Sequence, residues 1–231
     1  SMDRGRIHSY SRRLDLRTGE SVREVTWESP SGNRVRLCFR RFVSLKREHV
    51  AAFRMELTPL SGPLEITLES GISSRSSNTG SQHCLDGEKR MLEGGVLRLT
   101  TRTAQSDIPV AVHCAHRFNK ECMSELPVIE RRRLVMRYRF QVEKEETLQM
   151  DKTACWHTGR DKVYERPDSP EGTHQTESVS IAGDACIGQC RELGYGELLE
   201  ESAGLWDAYW EKTDVVIDSP DPMDQLGVRF A

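Results

Sequence analysis

The chain has 231 residues, with 36% hydrophobic, 6% aromatic and 30% charged, and a formal net charge of −3. That length suits one large domain, or one domain with a small appendage. Near-neutral charge gives no pull toward nucleic acid or an anionic membrane, and no apolar run approaches the roughly 20 residues that span a bilayer.

Taken in chain order, the first two thirds alternate with period two. Residues 21–29 read as a strand running into the turn cluster Pro30-Ser31-Gly32-Asn33. In the next strand Val35, Leu37 and Phe39 face inward, while Arg34, Arg36 and Arg40 face water. The alternation breaks at Arg41-Phe42-Val43, which predicts a bulge or bend. Phe53, Met55 and Leu57 then point inward with Arg54 and Glu56 outward. After the turn Leu60-Ser61-Gly62-Pro63, Leu64, Ile66 and Leu68 alternate with Glu65, Thr67 and Glu69, so this pair reads as a hairpin with one wet face.

Residues 73–94 read as a long polar loop, a feature that is usually functional in a compact domain. Strands follow around Leu97 and Leu99, at 108–118, at 133–143 and at 147–157. In the clearest of these, Leu134, Met136, Tyr138, Phe140 and Val142 point inward and Val135 outward. The run Arg131-Arg132-Arg133 fits a solvated strand start better than a phosphate grip. Residues 159–177 read as another loop.

After Gly183 the period becomes helical. Asp184 is the expected N-cap, and Cys186, Cys190 and Leu193 form one stripe. In a second helix Leu199, Ala203, Trp206 and Trp210 share a face. An extended piece at Val215, Val216 and Ile217 precedes Pro220 and Pro222, and 223–231 opens another helix. Leu226, Val228 and Phe230 are apolar there, which predicts a following domain.

These patterns predict an antiparallel β-sandwich with a helical extension. They carry no GxSxG elbow, P-loop, dinucleotide fingerprint or HExxH helix, so no catalytic residue and no cofactor is expected. Seven cysteines, an odd number without a CxxC pair, and no apolar segment after Arg4 and Arg6 point to free thiols in a reducing cytoplasm. His113, Cys114, His116 and Cys122 are the nearest thing to a metal set. His113 and Cys114 would face opposite sides of a strand, so no metal site is predicted. His83, His113, His116 and His157 could supply acid–base groups if they met. Trp27 and Trp156 could stack on sugar rings. Glu145/Glu146 and Glu200/Glu201 read as solvated charge.

Several segments, in order along the chain, resemble one family. They are the hairpin Leu14-Asp15-Leu16-Arg17-Thr18-Gly19, the strand end Arg41-Phe42-Val43-Ser44-Leu45, the loop Asn78–His83, the stretch Trp206–Asp218 and the helix start Asp224–Phe230. Together they resemble the N-terminal region of glycoside hydrolase family 65, which includes the maltose, kojibiose and trehalose phosphorylases. The resemblance implies a mainly β fold, an antiparallel super-β-sandwich like that of galactose mutarotase, with C-terminal linker helices. It implies the sandwich at 1–183, a helical linker at 184–222 and the opening of an (α/α)6 catalytic domain at 223–231. In the family an α-glucoside disaccharide and inorganic phosphate react with inversion in that barrel, so the implied role here is non-catalytic support. Members normally carry further strands before the hairpin. An incomplete sheet edge and a homodimer are therefore expected. The loop at 73–94, with Arg75, Asn78, Gln82 and His83, is the candidate to reach the barrel's mouth. The alternatives are a carbohydrate-binding module using Trp27 and Trp156, or an aldose-epimerase-like enzyme using a histidine–carboxylate pair.

Overall fold

A computed structural model describes residues 4–161 and 173–230, with the side chain of Asn78 and those of residues 173–175 left out. The strands are β1 (Arg6–Asp15), β2 (Glu20–Glu28), β3 (Arg34–Val43), β4 (Val50–Pro59), β5 (Leu64–Ser73), β6 (Ser77–Asn78), β7 (Ser81–Gln82), β8 (Glu88–Leu92), β9 (Val96–Arg102), β10 (Pro109–Phe118), β11 (Ser124–Glu130), β12 (Arg133–Val142) and β13 (Leu148–Thr158). Three helices follow: α1 (Thr173–Cys190), α2 (Tyr195–Thr213) and α3 (Pro222–Phe230). None of the described helices is long and apolar enough to cross a membrane.

An eight-stranded antiparallel sheet runs β1-β2-β3-β4-β13-β10-β9-β8, and a three-stranded sheet runs β11-β12-β5. The small sheet lies over one half of the large one. Leu97, Leu99, Leu134, Phe140, Val142 and Leu148 fill the space between them, all fully buried. Burying such side chains contributes about 1.5–3 kcal/mol each. The first two helices, α1 and α2, cover the other face of the large sheet. There Val50, Val96, Ala115 and Cys155 meet Ile187 and Cys190, and Phe42 and Ala52 meet Tyr195 and Leu198. The antiparallel sandwich with helices at the end is the architecture expected from the alternation.

Several details differ from the sequence reading. β4 and β5 do not form a hairpin: β4 pairs with β3 and β13, and β5 pairs with β12 in the other sheet. The turn at 60–63 carries the chain from one layer to the next. No bulge interrupts β3, whose register with β2 and β4 is continuous. The pattern breaks there because both faces of that strand end are used, Phe42 being buried under α2 while Arg41 is exposed on the opposite face. Val135 is buried, not outward. The loop at 73–94 contains β6, β7 and β8, so half of it is sheet.

The first helix starts at Thr173, so Asp184 lies inside it and is not its cap. Most of the loop expected at 159–177 lies outside the described residues. Gly183 explains the local packing. A Cβ there would stand 2.1 Å from Cε1 of His113, which is fully buried. Gly183→Ala is expected to cost about 1–3 kcal/mol by overpacking. Gly188→Ala on the same helix, with nothing within 4 Å of its Cβ position, is expected to be neutral or slightly stabilising. Urea unfolding of both variants checks this.

Candidate functional site

The helix-covered face of the large sheet holds a line of polar contacts that fixes α2. Glu20, Arg40, Arg54 and Asp151 come from β2, β3, β4 and β13, and they share this face because side chains directly across an antiparallel ladder point the same way. The guanidinium of Arg54 donates to both oxygens of Asp151, at 2.7 and 2.8 Å. It also lies 4.8 Å from the ring centre of Tyr195. The Tyr195 hydroxyl donates to Glu20 at 3.0 Å, and Phe42 meets the same ring edge-on. Burial and the neighbouring Glu20 carboxylate push the Tyr195 hydroxyl well above the usual phenol range. It therefore stays protonated and can donate.

The same stripe continues up the helix. Ser202, fully buried, accepts from the Leu45 backbone N–H at 3.0 Å. Arg47 donates to Glu201 at 2.8 and 2.9 Å, so Glu201 is half-buried and paired, not simply solvated. Trp206 sits against Gly19, where a Cβ would stand 2.8 Å from the indole nitrogen and where φ is +70°. Both constraints favour glycine at the turn between β1 and β2. Trp210 donates to the Leu16 carbonyl at 2.8 Å. Trp206 and Trp210 thus pack as helical spacing suggested.

Beyond α2, Arg229 of α3 pairs with Asp214 at 2.7 and 2.8 Å. Gln225 bridges the backbone of Val215 and Ile217. Asp221 caps α3 by accepting from the Met223 N–H, with Pro222 in the first helical position. These contacts hold an apolar surface that the described residues leave uncovered. Tyr209 is 61% exposed, Val216 77% and Phe230 72%, and Met223 and Leu226 are also exposed. A hollow of about 510 Å³ lies between Leu14, Leu16, Trp206, Tyr209 and Phe230.

The residues singled out from the sequence fall elsewhere. Arg75 pairs with Glu130 at 2.6 Å and with the Arg131 carbonyl. The Gln82 amide donates to the carbonyls of Ser74 and Ser76, closing its own loop. Asn78 pairs through its backbone with Ser81. His83 is exposed and its carbonyl accepts from Ala104. Arg75, Gln82 and His83 therefore sit close together at one end of the sandwich, with Arg75 and His83 exposed.

Trp27 and Trp156 lie on one face of the large sheet but at opposite ends. Trp27 is in register with Pro59 through Val35, and Trp156 pairs beyond Val50 through His49. The intervening rows put them about 30 Å apart at ~3.3 Å per residue. One disaccharide does not reach both.

His113 and His157 are neighbours on the helix-covered face, while His116 and His83 lie elsewhere. His113 reaches Asp184 of α1 at 2.9 Å, and Arg98 holds the other oxygen of that carboxylate at 2.7 Å. Burial holds His113 below the usual imidazole range despite Asp184. His157 stacks on His49 on the same helix-covered face, and burial brings it down to about 4. His116 faces the small sheet instead. It contacts Ser70 and Tyr138, and burial brings it down to about 3. No two of His83, His113, His116 and His157 share an open cleft with a carboxylate among the described residues. The contacts that fix α2, Arg54–Asp151 and Tyr195–Glu20, had no signature in the sequence, since pairing partners depend on register.

The family model for the "Glycosyl hydrolase family 65, N-terminal domain" matches residues 1–209. A kojibiose phosphorylase of Halothermothrix orenii is 35% identical over 235 residues, covering 100% of this chain and 29% of that protein. An alpha,alpha-trehalose phosphorylase of Thermoanaerobacter brockii is 24% identical over 240 residues, covering 98% of this chain and 29% of that protein. Among solved structures, a putative kojibiose phosphorylase from human microbiome superposes with a TM-score of 0.82 at 17% identity, over 99% of this chain and 28% of that one. The chain thus spans less than a third of the length of these relatives.

Proposed function

Because this chain belongs to glycosyl hydrolase family 65, through that family's N-terminal domain, we propose that it is the non-catalytic sandwich and linker of a disaccharide phosphorylase. The intact enzyme would act on an α-linked glucose disaccharide with inorganic phosphate and inversion, the reaction belonging to an (α/α)6 domain. In this reading residues 1–183 are the sandwich body, 184–222 the linker and 223–231 the entry to the barrel. Since α1 runs from Thr173 to Cys190, it belongs physically to the sandwich and carries the chain into the linker.

The observation that carries the reading is the uncovered apolar surface of α2 and α3, held in place by the ladder from Tyr195 to Trp210. Contiguous exposed apolar surface of this kind marks a place where another body packs. The loop with Arg75, Gln82 and His83 sits at a sandwich end and supplies a polar rim in the same scheme. The free edge of β1, a ten-residue strand exposed along its whole length, supports a homodimer by edge pairing. All seven cysteines are unpaired, which supports a reducing, cytoplasmic setting.

The test is direct. The purified chain is expected to release no glucose phosphate from kojibiose, maltose or trehalose with phosphate, measured against a protein-free blank. Turnover above that blank would overturn the reading.

A further inference from the structure

The small sheet leaves one side of the large sheet open, and an unusual set of charges stands there. Cross-strand register puts Arg12 directly opposite Arg23, and Ser21 directly opposite Arg41. All four side chains lie on the face that Phe39 and Met55 share. None of Arg12, Arg23 and Arg41 has an ion-pair or hydrogen-bond partner among the described residues, and the buried Nε of Arg23 lacks one too. The Arg23 guanidinium lies over Phe39, 4.4 Å from the ring centre. Lys152 adds a fourth cation and donates to the Gly71 carbonyl at 2.5 Å.

Among the described residues one carboxylate lines the same space, Glu69, and it is already held by Arg133 and Arg137. Like charges placed directly opposite on a ladder destabilise it. A sheet that keeps them there has a use for an anion between them. The arginines rim a cleft of about 370 Å³ whose floor is apolar, with Phe53, Met55, Leu68 and Met150. Forked guanidinium groups match phosphate oxygens, and the apolar floor matches the face of a small ring.

We infer that this cleft binds the phosphate monoester of a sugar, its phosphate between Arg12 and Arg23 and its ring against Phe53 and Met55. The inference does not rest on the proposed phosphorylase role, since it needs only the charges, the register and the floor. Glu69 and Lys152 also line it but are engaged by Arg133, Arg137 and the Gly71 carbonyl, so the role assigned is binding.

Calorimetry on the 231-residue chain with glucose 1-phosphate, inorganic phosphate and glucose separates the contributions. Glucose 1-phosphate is expected to bind at least about tenfold tighter than inorganic phosphate, and glucose to give no heat. Arg12→Gln and Arg23→Gln are each expected to weaken binding about tenfold, the effect of one charge-assisted hydrogen bond. Arg12→Glu creates an opposite-charge pair with Arg23. It is expected to abolish binding while raising the thermal midpoint by about 1–4 °C. Absence of binding by either phosphate probe, equal affinity for both, or arginine variants that bind as the parent does would each overturn the inference. A lowered midpoint in Arg12→Glu would also overturn it, because the arginines would then not repel.

Discussion

Replacing Arg54 with alanine is expected to lower the free energy of unfolding by about 3–5 kcal/mol. Asp151 is only 8% exposed and depends on the two charge-assisted bonds from this guanidinium. Removing one partner leaves the other carboxylate buried and uncompensated, which costs more than the pair itself contributes. The same guanidinium packs against the Tyr195 ring at the start of α2, so the loss extends to the helix. Urea unfolding gives the size of the effect. Limited proteolysis is expected to cut the variant near Gly194 before the strands. The double exchange Arg54→Met with Asp151→Leu is expected to recover most of the loss, because it removes the stranded charge. A loss below about 1 kcal/mol in the single variant, on the scale of exposed pairs, would show that water already screens the site.

Acid is expected to unfold the domain more steeply than an ordinary surface titration does. Burial brings His116 down to about 3 and His157 to about 4, while an unfolded chain holds histidine near ~6.5. Lys152 beside His116 adds to the effect. His49 and His113 beside His157 do the same, and Asp161 partly opposes it. A folded-state value below the unfolded one means that the unfolded chain binds more protons. Stability is then fully present above about pH 6.5 and is lost as pH falls toward the folded values. Two such groups remove on the order of 4–5 kcal/mol between about pH 6.5 and 4.5, at about 1.4 kcal/mol per proton per pH unit. Unfolding free energies measured at half-unit pH steps give the slope. His116→Gln is expected to reduce it by about half. A slope unchanged in that variant would remove His116 from the account.

The sandwich was legible because strands with one dry face write period two into the chain. Leu134 to Val142 and Leu97 to Leu99 needed no other clue. β1 and β11 escaped that reading because exposure along β1 and at most positions of β11 leaves no apolar alternation. The start of α1 escaped it for a different reason. The helix packs through small residues such as Gly183, which seats His113, and a glycine reads as a break in any helical pattern. β4 and β5 looked like a hairpin because a tight turn joins them, yet sequence cannot say whether a turn folds back or changes layer. The α2 platform was half legible. Trp206 and Trp210 showed their shared stripe, while Arg54 read as an outward charge and nothing tied Asp151 or Glu20 to it until register placed them under Tyr195. The family resemblance supplied the architecture that these fragments share, and it supplied no site residue that the coordinates draw into one pocket.

The turn after β1 has a mechanical consequence. The outermost strand of the large sheet and α2 are fastened at one point, since Leu16 and Gly19 receive the two indoles of α2. A second molecule pairing along the open rim of β1, as proposed above, would therefore tug on the shaft that bears α3. In the proposed dimer, the pairing along β1 and the angle of α3 would be set by a single rivet.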